Sequence, residues 1–260
     1  MSPPNGTAKS FGVTHRRLEC KTPVASLTSV IHALVPEQIR GVKVYVHGYD
    51  VDYSSPNGRP VGQPYLDWAM LRHNLLPQFQ QAAEAGYLCL FVSGPTKRQF
   101  PVLWPSFDAV RHALLTSWIW SSGEFTEALA VAPLQVYGHS AAYRTLVNWL
   151  KDPLLVSVTL LDGLYGYVQE FKDWFEQTQP VTDIQRKLAL VNTHSGRPRD
   201  NSQLFMAHVR EPASTFSVNT IDAAPIDIGE RRLLVGTVKC SHMQLVTGGK
   251  VLPWLMARGF

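Results

Sequence analysis

The sequence has few cysteines and no long apolar run, and both shortages exclude classes of protein. Its three cysteines, Cys20, Cys89 and Cys240, are odd in number and far apart, which argues against a disulfide framework and against a zinc site. No apolar stretch approaches the length of about 20 residues that spans a bilayer, and residues 1–12 lack the apolar core of a signal peptide. We therefore expect a cytoplasmic protein with no metal site and no membrane span.

Nucleotide- and nucleic-acid-binding motifs are missing as well. No G-x-G-x-x-G or P-loop string follows a strand-like run, which argues against a nucleotide-binding protein and predicts no organic cofactor. The formal net charge is only +4, and the 24 basic residues are scattered along the chain. This distribution indicates a solvated surface and not a nucleic-acid partner.

Strand-like and helix-like segments alternate along most of the chain. Alternation of this kind predicts a doubly wound, mostly parallel sheet flanked by helices, with functional residues at the carboxyl ends of the strands. No linker interrupts the 260 residues, so we expect one α/β domain over residues 1–260, with a flexible lead-in at about 1–15. An aromatic-rich insert at about 163–180 is a possible cap or lid. The strand-like runs are 42–48, 87–92, 134–137, 156–161, 187–191 and 233–238.

One stretch, residues 134–150 (LQVYGHSAAYRTLVNWL), combines an apolar run, a tight turn and a helical pattern. A turn this sharp leaves no room for large side chains on either side of its apex, and Gly138 and Ala142 meet that demand. Ser140 occupies the apex, where a strand, a turn and a helix would lift its hydroxyl out of the sheet. This layout is that of a nucleophile elbow, although Ala142 stands where the usual pattern has a second glycine.

The elbow and the residues that follow later strands resemble the α/β-hydrolase superfamily. Ser140, Asp162 and His242 each follow a strand-like run, in the order nucleophile, acid, histidine that the superfamily uses. The resemblance implies that Ser140 is the nucleophile and that His242 is its base, with His194 as the main rival for that role. It also implies an oxyanion hole formed by the backbone N–H groups of Ala141 in the elbow and of Tyr49, which follows His47-Gly48.

The acid has two candidates. Asp162 directly follows the run 156–161, whereas Asp200 lies in the loop region after the next run, where many α/β-hydrolases carry the acid. Asp200 also suits the N-cap of a predicted helix over residues 202–209, and Asp162 could instead bond its own turn through Gly163. We favour Asp162 as the acid and keep Asp200 as the alternative.

These residues predict a serine hydrolase that cleaves a carboxylic ester through an acyl-enzyme, without a cofactor. The expected partner is a small-molecule ester or acyl compound. An amidase, a peptidase or an acyltransferase could use the same triad, and a non-catalytic binding protein could use the same scaffold.

Overall fold

A computed structural model of the chain describes residues 12–24, 28–48, 64–94, 102–116, 123–177, 185–221 and 231–260. Within these residues nine strands form one sheet, in the order β1-β2-β4-β3-β5-β6-β7-β9-β8. The strands are β1 (Thr14–Lys21), β2 (Thr28–Val35), β3 (Gly41–Val46), β4 (Tyr87–Val92), β5 (Leu134–His139), β6 (Leu155–Leu161), β7 (Lys187–Thr193), β8 (Ser214–Val218) and β9 (Leu233–Val238).

The sheet is mostly parallel. Strand β2 pairs antiparallel with both β1 and β4, and the pairs from β4 across to β8 are parallel. Every residue of β3 and β6 is buried, as expected for parallel strands that are covered on both faces. The predicted fold class, a doubly wound and mostly parallel sheet, is confirmed.

Two apolar layers cover the two faces of the sheet. Alternating residues of β3 separate them, because Val42, Val44 and Val46 belong to one layer and Tyr45 to the other. Helices α3 to α7 pack on the first face, and helices α1, α2, α8 and α9 pack on the second. The helices are α1 (Tyr65–Arg72), α2 (Leu75–Glu84), α3 (Phe107–Thr116), α4 (Gly123–Val131), α5 (Tyr143–Trp149), α6 (Val168–Glu176), α7 (Arg197–His208), α8 (Gln244–Thr247) and α9 (Val251–Ala257).

Helix α7 begins earlier than the sequence pattern predicts. The pattern places its start near Ser202 with Asp200 or Asn201 as N-cap, but the N-cap is Gly196 and the helix starts at Arg197. Pro198 stands at a first-turn position, where its missing N–H leaves no hydrogen bond unmade. Asp200 therefore lies within the first turn and is exposed.

The predicted lead-in and insert are only partly described. Residues 1–11 lie outside the described part of the chain, and β1 already begins at Thr14. In the insert, α6 buries Phe171, Trp174 and Phe175 in the first apolar layer, and residues 178–180 lie outside the description. The lid therefore stays a prediction. No helix in the described ranges is long and apolar enough to cross a membrane.

Candidate active site

Ser140 directly follows β5 and has a left-handed backbone. Its φ is 56°, a conformation that costs a non-glycine residue roughly 1–3 kcal/mol and that persists only when the surrounding structure enforces it. A 3₁₀ turn over Ser140–Ala142 leads directly into α5. Strand, strained serine and helix thus follow one another in the chain, and the role of this turn as a nucleophile elbow stays a prediction.

Small residues allow this sharp turn to pack. A Cβ added to Gly138 would lie 3.2 Å from the Cβ of Ala142 and 2.6 Å from Cδ1 of the buried Leu146. Alanine at 142 is tolerated because its methyl group faces the bare Cα of Gly138. The departure from the usual two-glycine pattern is therefore accommodated by the glycine that remains.

The end of β3 approaches the elbow closely. A Cβ on Gly48 would lie 3.0 Å from the Cβ of Ser140 and 3.4 Å from the backbone nitrogen of Ala141. The residue after Gly48 is Tyr49, the second predicted oxyanion donor, which lies outside the described residues. The oxyanion hole therefore stays a prediction. The described residue next to Tyr49, Gly48, lies close to Ala141, the other predicted donor.

Asp162 and His242 are hydrogen bonded. Nδ1 of His242 lies 2.6 Å from Oδ2 of Asp162, although 80 positions separate them. The side chain of Asp162 is 6% exposed and that of His242 is 35% exposed, so the carboxylate is shielded while the ring reaches the surface. Because a carboxylate only accepts, Nδ1 of His242 is the donor in this bond, and Nε2 is the ring nitrogen that the bond does not use.

The other oxygen of Asp162 is held by Thr193, a residue that the sequence analysis did not single out. The backbone N–H of Thr193 donates to Oδ1 at 3.2 Å. The single hydroxyl proton of Thr193 is shared between Oδ1 at 3.3 Å and the backbone oxygen of Ser195 at 3.1 Å. Asp162 has a φ of 45°, and its backbone N–H donates to Val191 at 2.8 Å. The carboxylate is therefore tied to β7, the neighbouring strand, and not to its own turn through Gly163.

His139 links the elbow to the loop that carries His242. Its Nε2 donates to the backbone oxygen of His242 at 3.1 Å, and the two ring centroids are 4.4 Å apart. Burial lowers the pKa of His139 well below its usual value, and the neighbouring His242 lowers it further. His139 is thus a neutral ring packed beside the candidate base.

Two more histidines extend this row of rings into the interior. The ring of His47 lies 5.9 Å from that of His139 and 5.1 Å from that of His73. Burial lowers the pKa of His73 to about 4 and lowers that of His47 well below its usual value. Within the described ranges no set of three metal-ligating side chains converges. The low pKa values keep these packed rings neutral.

The remaining candidates lie elsewhere. Among the described residues no hydrogen bond joins His242 to Asp200, whose side chain is exposed in the first turn of α7. His194 accepts a bond from Arg199 through its backbone oxygen at 2.6 Å. In the described part of the chain no hydrogen bond joins the hydroxyl of Ser140 to His242.

The chain resembles known proteins in its fold and not in its sequence. No protein-family model and no curated protein matches the chain. A solved structure described as a predicted CIB-like hydrolase from Thermoplasma acidophilum is similar, with 12% identity, a TM-score of 0.53 and coverage of 95% of this chain and 98% of that one. An S-formylglutathione hydrolase from Agrobacterium tumefaciens is similar with 9% identity, a TM-score of 0.50 and coverage of 95% of both chains.

The chain has the α/β-hydrolase fold. In this α/β-hydrolase sheet, Ser140, Asp162 and Thr193 lie at the carboxyl ends of the adjacent strands β5, β6 and β7. His242 follows β9, the next strand across. The fold therefore gathers at one edge of the sheet the residues that the sequence predicts to act together.

Proposed function

We propose that the protein is a serine hydrolase that cleaves a carboxylic ester through an acyl-enzyme intermediate. The observation that carries this proposal is the 2.6 Å bond from His242 to the buried Asp162 at the same edge of the sheet as the strained Ser140. A carboxylate that fixes the tautomer of an exposed imidazole beside a raised hydroxyl is the arrangement that activates a serine. The similar structures described as hydrolases support the same class.

The first half of the proposed reaction acylates the enzyme. Oγ of Ser140 attacks the carbonyl carbon of the ester while its proton passes to Nε2 of His242. Asp162 stabilises the imidazolium that results, and the backbone N–H groups of Ala141 and Tyr49 donate to the oxyanion. The bond to the alcohol oxygen then breaks, and His242 returns the proton to that oxygen.

The second half releases the acid. His242 removes a proton from water, and the water oxygen attacks the acyl carbon. The bond to Oγ of Ser140 breaks, Oγ takes the proton back from His242, and the carboxylic acid leaves. Neither half of the proposed reaction needs a metal or an organic cofactor.

Three tyrosines beside the site favour an apolar or aromatic substrate. The ring of Tyr143, three residues after Ser140, lies 6.0 Å from that of Tyr165 and 5.9 Å from that of Tyr167. Tyr167 is 45% exposed, so this group reaches the surface close to the end of β6. Aromatic walls of this kind bind apolar groups and exclude water from an acyl-enzyme.

The test is hydrolysis of short- and long-chain p-nitrophenyl esters by wild type and by Ser140→Ala. We expect turnover in wild type and none above background in Ser140→Ala or His242→Ala. Ser195→Ala is the matched control, because Ser195 is exposed in a loop of the same sheet edge and has no assigned role. Equal turnover in wild type and Ser140→Ala would overturn the proposal.

A fluorophosphonate probe separates the alternatives. Labelling of Ser140 without ester turnover would indicate an amidase, a peptidase or an acyltransferase that uses the same residues. Neither labelling nor turnover would indicate a binding protein built on the same fold.

A further inference from the structure

Lys43 is a buried lysine in the middle of the sheet. It is the third residue of β3, and 3% of it is exposed. Because side chains alternate along a strand, Lys43 projects from the face that also receives Tyr45. This face is covered by α2 and α9, so the lysine lies between the sheet and two helices.

The ammonium group has polar neighbours, and none of those among the described residues is an acidic side chain. Its Nζ donates to Oε1 of Gln135, and to the hydroxyl of Tyr137 at 2.9 Å. It also lies 4.6 Å from the centre of the Tyr87 ring. Tyr137 in turn donates to the backbone oxygen of Phe260 at 2.6 Å. Among the described residues no carboxylate lies within ion-pair distance of Lys43.

The lysine therefore carries an uncompensated charge at neutral pH. Burial, together with the smaller effect of the positive charge of Lys187, lowers its pKa to about 8, so most molecules are still protonated at pH 7. Cys89 cannot balance this charge, because burial raises the pKa of its thiol to about 12. A buried cation without a counter-ion is destabilising, and a bound anion would relieve that cost.

A cavity of about 220 Å³ reaches this lysine. Its sheet side is formed by Lys43, Tyr87 and Gln135. The α2 wall is mixed, with Gln78 and Gln81 beside Ala82, and the α9 wall is apolar, with Pro253 and Met256. Every residue that lines the cavity belongs to the described part of the chain. The volume is below the roughly 300–1,000 Å³ of pockets for drug-sized ligands, which limits an occupant to a small molecule.

We propose that this cavity is a binding site for a short-chain carboxylate, whose oxygens pair with the Lys43 ammonium and whose alkyl chain lies between α2 and α9. The site is separate from the proposed active site. Lys43 precedes His47 by four residues, which is roughly 13 Å along the strand. The lining residues Tyr87 and Gln135 lie at the amino ends of β4 and β5, whereas Ser140 follows the carboxyl end of β5. The proposal does not depend on the proposed hydrolase activity.

The test is calorimetric titration of the full chain with hexanoate and with hexanamide, its neutral counterpart of nearly the same shape. We expect hexanoate to bind wild type at pH 7 at least tenfold more tightly than hexanamide. Because hexanoate stays charged while Lys43 loses its proton, we expect the affinity to fall about tenfold between pH 7 and pH 9. Lys43→Arg stays charged over this range, so any binding that it retains is expected not to weaken by pH 9.

Three variants locate the binding. Lys43→Met is expected to lose the preference for hexanoate, and Ala82→Leu, which fills the cavity and leaves the ammonium in place, is expected to weaken both ligands. Ser140→Ala is expected to bind hexanoate as wild type does, which separates this site from the proposed active site.

Three results would overturn the proposal: equal affinity for the two ligands, the same affinity of wild type for hexanoate at pH 7 and at pH 9, or no binding of hexanoate at all. Lys43 would then be a structural tie between β3 and β5. Loss of hexanoate binding in Ser140→Ala alone would place the ligand in the active site and would equally overturn it. If Lys43→Met fails to fold, the pH dependence in wild type and the Ala82→Leu variant decide the question.

Discussion

Thr193 holds one oxygen of Asp162 through its backbone N–H and through a hydroxyl that it shares with the backbone oxygen of Ser195. The opposite oxygen of Asp162 receives the bond from His242. The carboxylate is thus fixed on both sides by residues from two other strand ends. Its orientation depends on β7 as much as on β6, which bears it.

Removing the hydroxyl of Thr193 is expected to lower activity moderately. Thr193→Val keeps the backbone donor and loses a hydroxyl that is shared between the carboxylate and the backbone oxygen of Ser195, so we expect kcat/KM for a p-nitrophenyl ester to fall by a factor of up to roughly ten. Thr193→Ser keeps a hydroxyl and should retain most of the activity. A Thr193→Ser variant as impaired as Thr193→Val would indicate that packing of the methyl group matters, and not the bond.

Replacing the acid itself is expected to have a much larger effect. Asp162→Asn keeps the shape but offers an amide to His242, which disfavours the productive tautomer, so we expect kcat/KM to fall roughly 1,000- to 10,000-fold. Asp200→Asn, at an exposed position in α7, should leave kcat/KM unchanged. Near-normal activity in Asp162→Asn together with loss in Asp200→Asn would transfer the role of the acid to Asp200.

A methyl group at Gly48 is expected to disturb the nucleophile. In Gly48→Ala the new Cβ would lie 3.0 Å from the Cβ of Ser140 and 3.2 Å from the backbone oxygen of His139, so one of the two strand ends has to shift. The required shift is a few tenths of an ångström, so we expect kcat to fall several-fold, which is less than the roughly hundredfold loss that a misplacement of about 1 Å can cause. Gly166→Ala is the control, because its Cβ would meet Tyr143 at an ordinary 3.6 Å. Full kcat in Gly48→Ala would contradict the tight contact.

Because several histidines are buried, we expect the free energy of unfolding to fall in mild acid. The folded-state pKa of His73 is lowered to about 4, whereas a histidine in the unfolded chain titrates near 6.5. The unfolded chain therefore binds the extra proton as the pH falls from 6.5 to 4, and stability is lost over that window while it is fully present above it. Burial also lowers the pKa values of His47 and His139, so these two residues change stability in the same direction.

Urea unfolding at pH 7 and pH 5 measures this effect. The contribution of His73 to the loss of unfolding free energy between these two pH values is expected to be about 2 kcal/mol. Neither ring nitrogen of His73 has a partner in the described part of the chain, so His73→Leu removes the titration without breaking a hydrogen bond. The same loss in His73→Leu as in wild type would show that His73 does not contribute.

The sequence could predict the central strands and the order of the site residues, because both depend on local pattern. Apolar runs mark strands that are buried on both faces, and a small-residue turn around Ser140 marks the elbow. The edge strands β1 and β8 were not predicted, since most of their residues are exposed or only half-buried and leave no apolar run. A strand at an edge is defined by its neighbour more than by its own composition.

The choice between Asp162 and Asp200 could not be settled from sequence, because it depends on which strand ends lie side by side and on where α7 begins. The start of α7 at Arg197 carries Asp200 into an exposed helical turn. The contribution of Thr193 was missed for the same reason, since only the parallel pairing of β6 with β7 brings it to the carboxylate. Pattern identifies candidates, whereas pairing between strands selects among them.

The bond from His139 to the backbone of His242 couples the position of β5 to that of the loop that carries His242. His139 adjoins Ser140 in the chain, so a displacement of β5 moves the proposed nucleophile and pulls the loop of its base in the same direction. Because His139 is bonded to the loop of His242 and adjoins Ser140, we expect thermal motion of the sheet to change the distance between Ser140 and His242 less than the position of either residue. Activity is therefore expected to persist on heating until β5 itself detaches, and to disappear in the same transition as the fold.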